Sequence, residues 1–117
     1  MGGYSAEAAV RLLARAALDK KAEALVVLDL QGLSTVADYF VMCSARSPAQ
    51  MDTIAESVQG ALRGQGRRLR HREGTAASGW LLLDCGDVVV HVFLDETRAF
   101  YALERLWGDA PVLSVEG

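Results

Sequence analysis

The residues best suited to catalysis lie close together around one predicted turn. Asp84 and Asp87 are three positions apart, and His91 follows on the next apolar run. A histidine beside a carboxylate can act as a general base, and clustered carboxylates can hold a metal ion. Asp29 and Asp38 are the other carboxylates on neighbouring predicted strands. Together these groups raise the possibility of an enzyme with a carboxylate-bound metal ion.

The surrounding sequence favours a structural role for the same groups. A nucleotidyl-transferring enzyme typically carries a Gly-Ser turn followed by two aspartates one residue apart. Residues 44–47, Ser-Ala-Arg-Ser, lack the glycine, and no such pair follows. Aspartate is a preferred turn residue, and nothing near His91 resembles a nucleophile motif or an oxyanion loop. We therefore predict no catalytic residue, no metal site and no cofactor, and keep an enzyme using Asp84, Asp87 and His91 as the alternative.

Composition and cysteine usage favour a cytosolic protein. The 117 residues contain no apolar run approaching the roughly 20 residues that span a bilayer. The N-terminus lacks the basic region and continuous apolar core of a signal peptide, so no membrane association is expected. Cys43 and Cys85 form no CxxC pair. In such a chain they are more often buried small hydrophobes than a disulfide, which stays open as the alternative.

The net charge of −3 conceals an uneven distribution. Residues 80–109 carry six acidic residues against two arginines, a balance of −4. Such a segment suits a basic partner better than naked nucleic acid. The exception is a basic cluster: Arg63, Arg67, Arg68, Arg70 and Arg72. No aromatic residues are interleaved to stack bases, so Arg67, Arg68 and Arg70 are predicted to make at most an accessory RNA contact, or else to form a solvated edge.

Two helices are predicted from capping signals and apolar spacing. The first covers residues 6–20 with Ser5 as its N-cap. The second begins at residues 47–50, Ser-Pro-Ala-Gln, which place serine at the N-cap, proline at N1 and glutamine at N3 of a capping box. Gly64 and Gly66 are expected to end it.

Five strands are predicted from short apolar or β-branched runs and from charge patterning, over residues 25–30, 38–44, 67–72, 80–84 and 88–94. The last two form a hairpin around residues 85–87. Its second strand is apolar on both faces. Residues 74–79 are expected to form a loop, and the C-terminal segment to add an edge strand or remain free.

A third helix is predicted after Asp95, which can act as its N-cap, with Phe100 and Trp107 on one apolar face. The element order is then α-β-β-α-β-β-β-α. We therefore predict one α/β domain across residues 1–117, with a mixed sheet of about five strands and three helices. Three helices cannot fully cover a sheet that is apolar on both faces. The remaining apolar area is expected to be a surface for a partner or for self-association.

Two segments together carry a likeness to a known family. Residues 80–93, WLLLDCGDVVVHVF, followed by residues 98–111, RAFYALERLWGDAP, resemble the ribosomal silencing factor family, also called Iojap. The likeness extends over roughly residues 8–111 and includes the Asp-Tyr-Phe-Val of residues 38–41 and the start of the second helix. It implies a fold related to the nucleotidyltransferases, without enzymatic activity.

The resemblance also implies a partner and a role. Family members bind the large ribosomal subunit through its protein numbered fourteen and block joining of the small subunit. They thereby repress translation when nutrients are short; organelle relatives assist large-subunit assembly, and the free proteins are commonly homodimers. By match, the partner-binding residues would be Trp80, Leu82, Asp84, His91, Phe93, Tyr101, Glu104, Arg105 and Trp107. Two departures stand out: Ala45-Arg46 replaces the usual Ser-Gly, and Cys85 replaces the usual tyrosine.

Overall fold

The computed structural model describes residues 5–95, 111–113 and 115. The elements are α1 Ala6–Asp19, β1 Glu23–Asp29, β2 Tyr39–Ala45, α2 Pro48–Gly64, β3 His71–Thr75, β4 Trp80–Asp84, β5 Val88–Leu94 and β6 Val112–Leu113. The predicted third helix lies outside the described residues, and so do its candidate binding residues Tyr101, Glu104, Arg105 and Trp107. Within the described ranges, no helix is both long enough and apolar enough to cross a membrane.

The strands form one mixed sheet in the order β3-β4-β5-β2-β1-β6. Its central pair, β2 and β5, is parallel, whereas the other described pairs are antiparallel. The parallel pairing requires a long crossover, which α2 and the β3–β4 hairpin supply. The C-terminal segment adds an edge strand, since Val27 of β1 pairs with Leu113 of β6. The predicted α/β class is confirmed, with six strands in the described part of the chain rather than about five.

Both described helices pack on the same face of the sheet. Val10 of α1 and Ile54 of α2 belong to one buried cluster with Val41 of β2 and Val90 of β5. Side chains alternate along a strand, so the neighbouring residues point to the other face. There Leu28, Leu30 and Met42 form a second, smaller buried cluster. The central strands are therefore apolar on both faces, as the sequence predicts.

The predicted caps of both helices are present. The Ala8 amide lies 3.3 Å from Ser5 Oγ, and the Gln50 amide donates to Ser47 Oγ at 3.1 Å. The second half of the capping box differs from its usual form. Gln50 Oε1 accepts the backbone N–H of Arg46 at 2.7 Å, one residue earlier than the N-cap amide that normally fills this role.

Replacing Gln50 with alanine should lower the free energy of unfolding by about 2–3 kcal/mol, since three hydrogen bonds at roughly 0.5–1.5 kcal/mol each are lost. Besides the Arg46 bond, Gln50 Nε2 donates to the carbonyls of Lys20 and Lys21 at 3.1 and 3.0 Å, tying α2 to the end of α1. Urea unfolding measures the loss. Gln59→Ala, half-buried on the same helix, is the control; equal losses for both variants would contradict the prediction.

The predicted third strand is wrong in position. It was expected over residues 67–72, but β3 covers His71–Thr75. Residues 67–70 form no regular element; the Arg67 amide donates to the Leu62 carbonyl at 3.1 Å, which holds the start of this segment against the end of α2. Part of the expected loop 74–79 belongs to the strand instead. All five β3 residues are exposed, so no apolar alternation marks this strand; the predicted edge position is confirmed.

Candidate partner-binding face

The predicted hairpin is confirmed, and the Asp84 carboxylate stabilises its turn. Asp84 Oδ1 accepts the Gly86 backbone N–H at 2.9 Å, and Gly86 has a φ of +95° that favours glycine. The Asp87 carbonyl accepts the backbone N–H groups of Asp38 and Tyr39, at 2.7 and 3.1 Å. The turn is thereby fixed against the start of β2, where the parallel pairing begins.

Asp29, another carboxylate considered as a metal ligand, also has a structural role. Asp29 Oδ1 accepts the Gln31 backbone N–H at 3.0 Å, closing a local turn. Among the residues that the structure describes, no three His, Cys, Asp or Glu side chains are grouped to hold a metal ion. Cys43 and Cys85 are both buried, as expected of small hydrophobes. Burial raises the pKa of the Cys85 thiol to about 12, so the thiol stays protonated at neutral pH.

An aromatic cluster lies on the face of the sheet opposite α1 and α2, and we define it as Phe40, Trp80, His91 and Phe93. Val88, Val90 and Val92 of β5 join the helix-side core, so His91 and Phe93 point the other way. The rings of Phe40 and Phe93 lie 5.1 and 6.1 Å from the His91 ring, centroid to centroid. Both spacings are within the range of favourable aromatic pairs.

His91 is hydrogen-bonded within this cluster. The Trp80 indole N–H donates to His91 Nδ1 at 3.3 Å. The pairing register explains how they meet: Trp80 is opposite Phe93 and Leu82 is opposite His91, so Trp80 and His91 are diagonal neighbours on one face. Burial lowers the pKa of His91 to about 4, so the ring is neutral at physiological pH. This hydrogen bond agrees with the structural role that the sequence favours for His91.

The five sheet residues of the candidate site share one face but differ in accessibility. Trp80, Leu82 and Asp84 are half-buried and reach the surface. His91 is 5% exposed and Phe93 is fully buried. The β4 residues are therefore accessible for direct contact with a partner, whereas the β5 residues are buried. Whether any of the five binds a partner stays a prediction.

The sequence reasoning missed two residues of this region. Phe40 belongs to the aromatic cluster because β2 pairs with β5 in parallel, a long-range pairing that no local pattern signals. Gly74 has a φ of +81°, and a Cβ built on it would lie 2.2 Å from the Trp80 carbonyl oxygen. The available signal was the glycine itself, since a glycine in a strand often marks a close backbone approach.

The basic cluster does not join the aromatic cluster. Arg67 lies against the hairpin turn, where its Nη2 would be 2.8 Å from a Cβ built on Gly86. Arg72 approaches Asp52 of α2, with 3.6 Å between Nη2 and Oδ1. Arg68 and Arg70 are exposed. The cluster therefore follows the end of α2 and the β3 edge, and its accessory role in RNA contact stays a prediction.

Comparison with known proteins decides the family. The family model described as "Ribosomal silencing factor during starvation" matches residues 4–117. The chain belongs to the ribosomal silencing factor family. It is 44% identical over 108 residues to the ribosomal silencing factor RsfS of Halalkalibacterium halodurans, covering 92% of each chain. It is also 39% identical over 98 residues to the chloroplastic protein Iojap of Zea mays, covering 84% of this chain and 42% of that one.

Solved structures confirm the fold of this ribosomal silencing factor family member. A crystal structure of a Bacillus halodurans protein matches with a TM-score of 0.81 and 38% identity, over 93% of this chain and 99% of that one. An X-ray structure of a Chromobacterium violaceum protein matches with a TM-score of 0.85 and 32% identity, over 90% and 88%. At the first departure from the family pattern, Ala45 is buried, and Arg46 pairs with Glu23 of β1, with 2.7 Å between Nε and Oε2.

Proposed function

We propose that this chain binds the large ribosomal subunit through its protein numbered fourteen and sterically blocks joining of the small subunit. Translation would thereby be repressed under nutrient limitation. The chain would act as one domain over residues 1–117, in the cytoplasm, as a homodimer when free and without enzymatic activity. Family membership supports the role, and the half-buried Trp80 at the rim of the aromatic cluster is the observation that carries the binding site.

The composition of this face supports a protein partner. Trp80 is large and amphipathic, a residue type enriched at interface hot spots. Leu82 and Asp84 follow it at two-residue spacing on the same face of β4. This face therefore offers a partner an apolar side chain next to a carboxylate. The net charge of −4 on residues 80–109 would increase the rate of association with a basic target. Arg67, Arg68 and Arg70 would add an accessory contact to ribosomal RNA.

Occlusion needs no chemistry from the chain. A domain seated where the small subunit docks prevents joining as long as it stays bound, so the inhibition should follow the occupancy of the large subunit. This mechanism agrees with the structural roles of Asp84 in the turn and of His91 in its hydrogen bond. The enzyme alternative would instead require these same side chains to be available for substrate.

Sedimentation of purified ribosomal subunits tests the proposal directly. Added chain should co-sediment with the large subunit and reduce the fraction of joined ribosomes as its concentration rises. Crosslinking should identify the large-subunit protein that it contacts. Full joining at saturating chain would refute the silencing role. Binding without any effect on joining would instead favour the assembly role, and turnover of a nucleotide substrate would favour the enzyme alternative.

Replacing Trp80 with alanine should weaken binding to the large subunit by about 2 kcal/mol, roughly 30-fold in Kd, if the ring is an interface anchor. Leu12→Ala is the matched control. Leu12 is a large apolar side chain, 50% exposed, but it lies on α1 on the opposite side of the sheet. Binding is measured by co-sedimentation and folding by circular dichroism. Equal affinities for the two folded variants would place the interface elsewhere.

A further inference from the structure

The structure separates two kinds of residue within the aromatic cluster. Trp80 reaches the surface, whereas His91 is 5% exposed. The Trp80 indole N–H nevertheless donates a hydrogen bond to His91 Nδ1, with 3.3 Å between the two nitrogens. Any contribution of His91 to partner binding would therefore act through Trp80 rather than by direct contact.

The hydrogen bond fixes the protonation pattern of His91. Because Nδ1 accepts the indole N–H, a neutral ring carries its proton on Nε2. His91 Nε2 is buried, and among the residues that the structure describes it has no hydrogen-bond partner. A buried donor without a partner costs free energy, and an apolar residue of similar size would avoid that cost. The histidine is therefore a poor choice for stability alone at this position.

The neighbouring rings hold the acceptor in place. Phe40 meets the His91 ring at an interplanar angle of 61°, and Phe93 lies nearly parallel to it at 6°. The imidazole is thus held from two strands, β2 and β5, while its Nδ1 receives the indole from β4. An interface side chain that is already held in its bound orientation loses less conformational entropy on binding.

We propose that His91 is a positioning residue, which orients the Trp80 indole on the partner-binding face by accepting its N–H. This inference rests on the proposed function, and it gives a buried histidine a role in affinity rather than in catalysis. The unpaired Nε2 is then a stability cost that accompanies the acceptor at Nδ1.

Two His91 variants test the positioning role. His91→Phe keeps an aromatic ring but removes both the acceptor and the unpaired donor. It should leave the melting temperature unchanged or higher, while weakening binding to purified large subunits about tenfold. His91→Asn places a carbonyl oxygen near the position of Nδ1, so it should recover part of the affinity despite its smaller side chain. Wild-type affinity in folded His91→Phe would overturn the proposal.

A readout on the free protein separates this proposal from the proposed function. The indole N–H of Trp80, assigned by its loss in Trp80→Phe, should shift in the proton NMR spectrum of His91→Phe and shift less in His91→Asn. An unchanged resonance in His91→Phe overturns the positioning role, whether or not the chain binds ribosomes. If the wild-type chain fails to bind, the proposed function fails, while a shifted resonance still supports the orientation of Trp80 by His91.

A double-variant comparison covers the case in which His91→Phe does not fold. Trp80→Phe retains an apolar ring and removes only the N–H and the larger ring area. Trp80→Phe combined with His91→Asn should bind no more weakly than Trp80→Phe alone, because the hydrogen bond is already absent. Additive losses would show that His91 acts independently of Trp80 and would overturn the proposal.

Discussion

Replacing Gly74 with alanine is expected to detach β3 from β4 and to lower the free energy of unfolding by about 3 kcal/mol or more. Gly74 has a φ of +81°, which costs an alanine roughly 1–2 kcal/mol. The new Cβ would also lie 2.2 Å from the Trp80 carbonyl oxygen. Backbone atoms cannot move aside by a rotamer change, and overpacking typically adds about 1–3 kcal/mol.

Gly60→Ala provides the matched control for this prediction. Gly60 lies within α2, and a Cβ there would meet Arg63 Nη2 at 3.8 Å, an ordinary contact. Alanine in a helix interior is favoured over glycine by about 0.5–1 kcal/mol, so this variant should be more stable than the wild type. Urea unfolding at neutral pH measures both variants. A Gly74→Ala protein as stable as Gly60→Ala would show that the close approach to Trp80 is readily relieved.

Gly74→Ala should also weaken partner binding, because the new Cβ clashes with the main chain of Trp80, the predicted interface anchor. The built Cβ lies 3.1 Å from Trp80 Cε3 as well as from its carbonyl carbon. Movement of the β4 backbone at this point would carry the indole away from His91 Nδ1. Large-subunit affinity of folded Gly74→Ala should therefore fall, whereas Gly60→Ala should bind like the wild type.

Elements with strong local signals could be predicted from the sequence at their observed boundaries. α2 begins at Pro48 after the Ser47 cap, and the hairpin strands Trp80–Asp84 and Val88–Leu94 end where predicted. In both cases the residues that determine the boundary lie within one short segment. For α2 they are a capping serine and the proline that follows it, and for the hairpin a glycine turn between two apolar runs. Such segments need no knowledge of the rest of the chain.

Features that depend on distant residues could not be predicted in the same way. β3 has five exposed residues, so its position is set by pairing with β4 and not by its own apolar pattern. The contact between Phe40 and His91 depends on the parallel pairing of β2 with β5, which joins residues about fifty positions apart. The Trp80–His91 bond requires the hairpin register, and a shift of one residue would place these side chains on opposite faces.

His91 is predicted to make the folded protein sensitive to acid. Its pKa is 6.5 in an unperturbed chain and is lowered to about 4 by burial in the folded protein. Between these values the unfolded chain binds the proton more tightly than the folded one, so stability falls with falling pH. The contribution of neutral His91 to the stability of the folded protein is fully present above pH 6.5 and is lost as the pH falls toward 4. Linkage gives a loss of about 2.5 kcal/mol from this group by pH 4.5.

Comparison of the wild type with His91→Phe isolates this contribution. Both proteins share every other titrating group, so the difference between their free energies of unfolding should change by about 2.5 kcal/mol from pH 7 to pH 4.5, in favour of the variant. Urea unfolding at several pH values measures the two curves. His91→Asn, which also lacks the titrating ring, should follow the variant's pH dependence even if its absolute stability is lower. If the free energies of unfolding of the wild type and both variants changed in parallel with pH, His91 would have the same pKa in the folded and unfolded chain. Burial in the aromatic cluster would then not lower its pKa.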